Sequence, residues 1–190
     1  MSVGYPKCVV LFGVFLIFLS GCASVQREAV LASEYVVQPG TKVDLVSVTN
    51  QTGNSFDIDV EQMLSDALNV ALTQRNVLWM GEDVPRLRLA AEIVEYSKGD
   101  AFKRWVMPGW GSTVLVVRGS LADEDNRQIG SVDAKRKIYA GGAYTIGAWK
   151  TVFEDVANDL ITELSKQLRI EGGERSGFGN AHLISLLDSI

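Results

Sequence analysis

"VLVVRGSLADEDNRQIGSVDAKRKIY", Val114 to Tyr139, holds two β-rich runs around one polar turn. Val114 to Leu121 and Ile129 to Tyr139 flank Asp123 to Gln128, and in the second run Val132, Ala134 and Ile138 alternate with Asp133, Lys135 and Lys137. A period of two places successive side chains on opposite faces of a strand. The stretch therefore predicts a hairpin with Val132, Ala134 and Ile138 on a core and the three charged residues facing out.

A sheet with one apolar face needs a cover. Trp149, Val152, Phe153, Val156, Ala157, Leu160, Ile161, Leu164 and Leu168 recur at helical spacing and form the strongest such stripe in the chain, with Gly172-Gly173 as the predicted stop. A second helix is expected from Val60, Met63, Leu64, Ala67, Leu68, Ala71 and Leu72, with Asp57, Asp59 and Glu61 around its start, where the helix dipole favours acids.

Upstream, Val43 to Val48 reads as a strand closed by the turn-forming Thr49 to Gly53, and Val77 to Met80 as a short strand. After Pro85, Leu87, Leu89, Ala91 and Ile93 alternate with polar residues that include Arg88 and Glu92, the mark of a third strand. The order strand, helix, strand, strand, hairpin, helix predicts an α+β fold: a small mixed or antiparallel sheet with two amphipathic helices packed on one face. Residues 41–170, about 130 in number, suit one domain with its own core.

Lys7, the apolar run Val9 to Leu19 and the small pair Ser20-Gly21 form a secretory signal over residues 1–21. The run is too short for a transmembrane helix, which needs roughly 20 apolar residues. Leu19-Ser20-Gly21-Cys22 resembles the bacterial lipobox, which implies cleavage between Gly21 and Cys22 and a diacylglycerol on the Cys22 thiol. Each buried methylene of such a lipid adds roughly 0.8 kcal/mol of membrane affinity. Cys8 lies in the discarded segment, so no disulfide is expected. Ala23, not aspartate, follows the anchor, which in enteric bacteria favours the outer membrane with the domain facing the periplasm.

Residues 22–40 end in Pro39-Gly40 and show weak periodicity, so they read as a tether reaching about 20 to 25 Å. Loss of the signal removes Lys7 from the 18 basic residues and leaves 17 against 23 acidic, a formal charge of −6. That balance argues against a general nucleic-acid partner. Residues 171–190 form a tail in which Leu183, Ile184, Leu186, Leu187 and Ile190 repeat at helical spacing, either a frayed end or a helix folded onto its own domain, or else a docking helix for a partner.

Three motifs carry a resemblance: Glu95-Tyr96 followed by Lys103 to Trp105 (KRW), Pro108 to Gly111 (PGWG) leading into Thr113 to Asp123, and Ala148 to Leu160 (AWKTVFEDVANDL). Together with the lipobox they resemble the bacterial lipoprotein family called domain of unknown function 4410, over about half the mature chain. The family's usual Asp-x-x-Thr-Gly turn is here Asp123-Glu124-Asp125-Asn126-Arg127. The resemblance implies a periplasm-facing α/β domain with no enzyme activity, similar in outline to envelope lipoprotein domains that dock onto larger assemblies.

The segment Ser97 to Ser112 has the most unusual composition, with Phe102, Trp105 and Trp110 among Lys98, Lys103 and Arg104. Phe102, Lys103, Arg104, Trp105 and Trp110 are the candidate binding residues, because aromatic and guanidinium groups offer large contact area at low entropic cost. The alternative is that the tryptophans cap the open end of the core and the cations are solvated. Gly109 and Gly111 follow no strand-to-helix step, and with Gly141-Gly142 and Gly147 they read as turn glycines, not a phosphate cradle.

His182 is the single histidine and lies in the tail, so no Ser-His-Asp triad and no histidine metal site is expected. Asp57 and Asp59, and Asp123, Glu124 and Asp125, sit at a helix start and a hairpin turn, where acids serve structure. No catalytic residue, metal or cofactor is expected. The partners expected are the membrane, through the Cys22 lipid, and a further envelope component; a small-ligand carrier or sensor for lipid or glycan is the second reading.

Overall fold

A computed structural model describes residues 23–107, 110–139 and 147–178. The proposed signal, Cys22, Pro108-Gly109, Gly141-Gly142 and the end of the tail with His182 lie outside the described residues.

The elements are β1 (Ala23–Leu31), β2 (Lys42–Asn50), α1 (Val60–Gln74), β3 (Arg86–Ser97), α2 (Ala101–Val106), β4 (Thr113–Ala122), β5 (Gln128–Ile138) and α3 (Ala148–Phe178). They form one five-stranded sheet in the order β1-β5-β4-β3-β2. All neighbours are antiparallel except β2 and β3, which run parallel because α1 carries the chain back over the sheet between them. The sheet is therefore mixed, and α1 and α3 lie side by side on one face of it, the α+β architecture expected.

The predicted inward residues make the core. Leu87, Leu89, Ala91 and Ile93 of β3 are 0–1% exposed. Val132 and Ala134 of β5 are buried, with Ile138 packed at the margin. They meet Val60, Leu64, Leu68, Ala71 and Leu72 of α1 and Val152, Phe153, Val156, Ala157, Leu160, Ile161 and Leu164 of α3. Asp59 is the N-cap of α1, its carboxylate accepting a hydrogen bond from the Gln62 backbone N–H at 2.9 Å.

Gly119 of β4 lies against this packing. A Cβ there would come within 2.8 Å of Val132 Cγ1 and 2.9 Å of Leu89 Cδ1.

Three expectations change. Ala23 to Leu31 is not tether but an edge strand, paired with β5 from Ala23↔Ile138 to Leu31↔Gly130. Its inward side carries Val25, Arg27, Ala29 and Leu31, an apolar row broken by a charge. The charge is accommodated because Asp159 of α3, 6% exposed, accepts hydrogen bonds from Arg27 Nη1 at 2.9 Å and from Arg136 Nε and Nη2 at 3.0 and 2.7 Å.

Val77 to Met80, in contrast, supplies no strand. It makes a single parallel bridge between Val43 and Leu78 on the outer edge of β2, with Val43 N–H donating to Val77 O at 2.7 Å and Trp79 N–H to Val43 O at 2.8 Å. Finally, α3 runs on through Gly172-Gly173 to Phe178. A helical glycine costs about 1 kcal/mol relative to alanine, a weakening and not an obligatory stop.

Candidate functional site

The segment between β3 and β4 projects from one end of the sheet on a short neck. Two hydrogen bonds close it: Asp100 N–H to Gly111 O at 2.8 Å and Thr113 Oγ1 to Lys98 O at 2.9 Å. Gly111 has φ +70°, and a Cβ on it would sit 2.8 Å from Asp100 O and from Lys103 Cβ. Glycine is required there by both conformation and space.

Above the neck, Asp100 caps α2, its Oδ1 accepting hydrogen bonds from the backbone N–H groups of Phe102 and Lys103 at 2.9 and 3.1 Å. Two further turns close with Met107 N–H to Lys103 O and Trp110 N–H to Met107 O, each at 3.0 Å.

Its large apolar side chains face outward. Phe102 is 70% exposed, Val106 53%, Met107 59% and Trp110 54%. Phe102 and Trp110 are the exposed large aromatics of the described residues, so Trp110 does not cap the core. Lys103 Nζ lies 5.8 Å from the centre of the Trp110 ring. Arg104 and Trp105 occupy the middle of α2. Of the five candidate residues, the structure brings Phe102, Lys103 and Trp110 onto one exposed tip, with the backbone of Arg104 and Trp105 in the same helix.

Trp149 belongs to the same end of the molecule, although its place in the helical stripe predicted a core residue. It stands at the start of α3, half-buried, with Lys98 Nζ 4.7 Å and Lys150 Nζ 5.1 Å from its ring centre. Its carbonyl accepts a hydrogen bond from Tyr96 Oη at 3.4 Å. Tyr96 meets Phe56 edge-on at 5.0 Å and Phe153 at 5.2 Å. Burial, with the charge of Asp57 added, raises the Tyr96 phenol to about 12. Lys98 donates to Asp57 at 2.9 Å, and that bond and the ammonium charge hold the Asp57 carboxyl below its usual value. The available sequence signal was Lys150 beside Trp149 at a helix start.

The carboxylates of the hairpin turn have structural partners. Asp123 accepts hydrogen bonds from the backbone N–H of Asp125 and of Arg127 at 3.0 and 2.9 Å and from Arg127 Nε at 2.8 Å. Burial pushes its acidity down, but the Arg127 backbone and guanidinium outweigh burial and hold its pKa below the ordinary aspartate value. Among the described residues, no three His, Cys, Asp or Glu side chains are gathered in a group that could hold a metal ion, and no helix is long and apolar enough to cross a membrane.

The sheet face away from the helices carries a shallow groove of about 690 Å³, bordered by Gln26, Glu28, Val94, Val116, Arg118 and Lys135. An open groove of this kind leaves a small molecule largely in contact with water.

The chain shares its fold with PelC. PelC from Paraburkholderia phytofirmans, solved as a dodecamer, is 15% identical over 74% of this chain and 97% of that one, with a TM-score of 0.50. A Xanthomonas campestris protein of domain of unknown function 330 is 15% identical, covers 73% of this chain and 92% of its own, and has a TM-score of 0.44. A minor lipoprotein from Acinetobacter baumannii is 15% identical, with coverages of 67% and 91% and a TM-score of 0.33. No family model and no curated protein matches the chain, so the likeness to domain of unknown function 4410 rests on the quoted motifs.

Proposed function

We propose that the protein is a lipid-anchored cell-envelope lipoprotein, held in the outer membrane by Cys22, whose non-catalytic periplasmic domain binds another envelope component through the α2 tip. The observation that carries this reading is the tip: four large apolar side chains on a neck braced by two hydrogen bonds, 53–70% exposed. Folding gains nothing from apolar surface left in water, and a protruding apolar cluster with cationic neighbours is the anatomy of an interaction surface. The lipobox-like Leu19 to Cys22 supports the location.

Two measurements test the two halves. Labelled palmitate enters the wild-type protein and is lost in Cys22→Ser; label that fails to enter, or that survives the substitution, refutes the anchor. A photo-crosslinker at Trp110 in intact cells captures an envelope component that the same probe at Asp125, in the β4–β5 turn, does not. Equal or absent capture at both positions refutes the tip as a binding surface.

The open groove supports a second reading, a carrier or sensor of a lipid or glycan. Saturable quenching of tryptophan fluorescence by lipid or cell-wall fragments, retained when Phe102 and Trp110 are replaced, is its distinguishing result. Assembly into oligomers, as in the PelC dodecamer, is a separate outcome that sedimentation would reveal.

A further inference from the structure

We infer that the component bound by the α2 tip is the bilayer itself, so that the domain is held to one membrane at two points: the Cys22 lipid and an interfacial contact through Phe102, Val106, Met107 and Trp110. This rests on the proposed anchor and on the tip as a binding surface, and it adds the occupant.

The register of the sheet supplies the argument. Ala23 is opposite Ile138, Ile138 is opposite Thr113, and Thr113 donates to the Lys98 carbonyl across the neck. Reading along this row, the start of β1 and the neck of the tip lie on the same end of the sheet, three inter-strand spacings apart. At about 4.8 Å per spacing they are separated by roughly 14 Å. Cys22 is one peptide from Ala23, a further 3.8 Å or so between Cα atoms.

A lipid on Cys22 therefore brings this end of the domain to the headgroups. With Ala23 to Leu31 committed to the sheet, the 20 to 25 Å stand-off of a flexible tether does not exist.

The chemistry of the tip suits that position. Aromatic and long apolar side chains favour the boundary between headgroups and acyl chains, and lysines there reach anionic phosphates. Ser97 to Ser112 carries Lys98, Lys103 and Arg104 against Asp100 and the Asp57 paired to Lys98, with Lys150 alongside over Trp149, whereas the mature chain as a whole is acidic.

Screening at physiological salt has a length of about 8 Å, so an anionic leaflet senses the tip and little of the far end, where Asp83, Asp123, Glu124 and Asp125 outnumber Arg86 and Arg127 around one recess. Each lysine close to such a surface strengthens binding roughly fivefold. The charge distribution and the apolar cluster specify the same orientation.

The test uses the lipidated mature protein reconstituted in vesicles of phosphatidylethanolamine and phosphatidylglycerol at three to one. An environment-sensitive fluorophore is attached at Met107→Cys or, at the opposite end, at Asp125→Cys. The expected result is severalfold brighter, dithionite-protected emission at position 107, quenched by lipids brominated on the acyl chains, with position 125 unaffected. Equal solvent exposure at both positions overturns the proposal, as does protection at 107 that appears only with rising protein-to-lipid ratio, which marks a second copy as the occupant.

A second arm separates this from failure of the anchor. The unlipidated Cys22→Ser chain should bind the same vesicles weakly and lose at least tenfold when Phe102 and Trp110 are both changed to serine. An unchanged affinity overturns the tip contact whatever palmitate labelling shows at Cys22.

Discussion

Asp159→Ala tests why Ala23 to Leu31 is a strand. Among the described residues, Asp159 is the one carboxylate that joins both β1 and β5 to α3: its side chain is 9% exposed and pairs with Arg136, 21% exposed, and Arg27, 39% exposed. Removing one member of a fully buried pair costs about 3 to 5 kcal/mol. Here Arg136 keeps Asp155 at 3.7 Å and Arg27 keeps Glu163 at 3.7 Å, and solvent screens the Arg27 pair strongly.

The expected loss is accordingly about 2 to 3 kcal/mol. With a urea slope near 2 kcal/mol per molar for a domain of this size, the unfolding midpoint should fall by about 1 to 1.5 M. Arg27→Ala should cost only about 0.5 to 1 kcal/mol. Amide exchange adds the local readout: the N–H groups of β1 should lose protection in Asp159→Ala while those of β3 and β4 change only with global stability. A loss below about 0.5 kcal/mol, or unaltered relative protection in β1, refutes the claim that this cluster holds the strand on.

Three further outcomes follow from particular contacts. A Cβ on Gly130 would lie 2.3 Å from Val30 O, a backbone atom, so Gly130→Ala should push β1 off β5 and cost about 1 to 3 kcal/mol, checked by urea unfolding. Tyr96 should titrate near 12 in the folded state, seen as a high-pH absorbance step at 295 nm that Tyr96→Phe removes. Because its folded pKa is raised from 10.0, the associated stability is complete below pH 10 and is lost as pH climbs toward 12.

Asp123 has the opposite sign. Its folded pKa is lowered from 3.8, so its contribution is present above that value and disappears as pH falls through the lower, folded pKa. Acid unfolding curves of wild type and Asp123→Asn should converge at low pH and separate above about pH 4. Parallel curves across the range would contradict this assignment.

The sequence by itself determined whatever depends on near neighbours and on period. Leu87 to Ile93 alternates and Val132 to Ile138 alternates, and both fold as strands with those residues inward. The stripes starting at Val60 and Val152 recur at three and four residues, and both fold as helices over the same face. Acids at Asp59 and Asp123 bond to N–H groups a few positions ahead, which is why their structural roles were legible from the chain alone.

What only the tertiary structure decided was the fate of residues whose stabilising partner is remote. Arg27 breaks the apolar row of β1, and the row makes sense only beside Asp159, 132 positions away. Val77 to Met80 has a strand-like composition but meets the outer edge of β2 at Val43 alone, on the side away from β3. Trp149 sits in a helical stripe, yet the end of the sheet stops short of covering it, and Lys98 and Lys150 flank it instead. The sequence singled out Phe102, Lys103 and Trp110 by composition. Their exposure, and the register that sets their tip at the end of the sheet where β1 begins, required the strands to be paired.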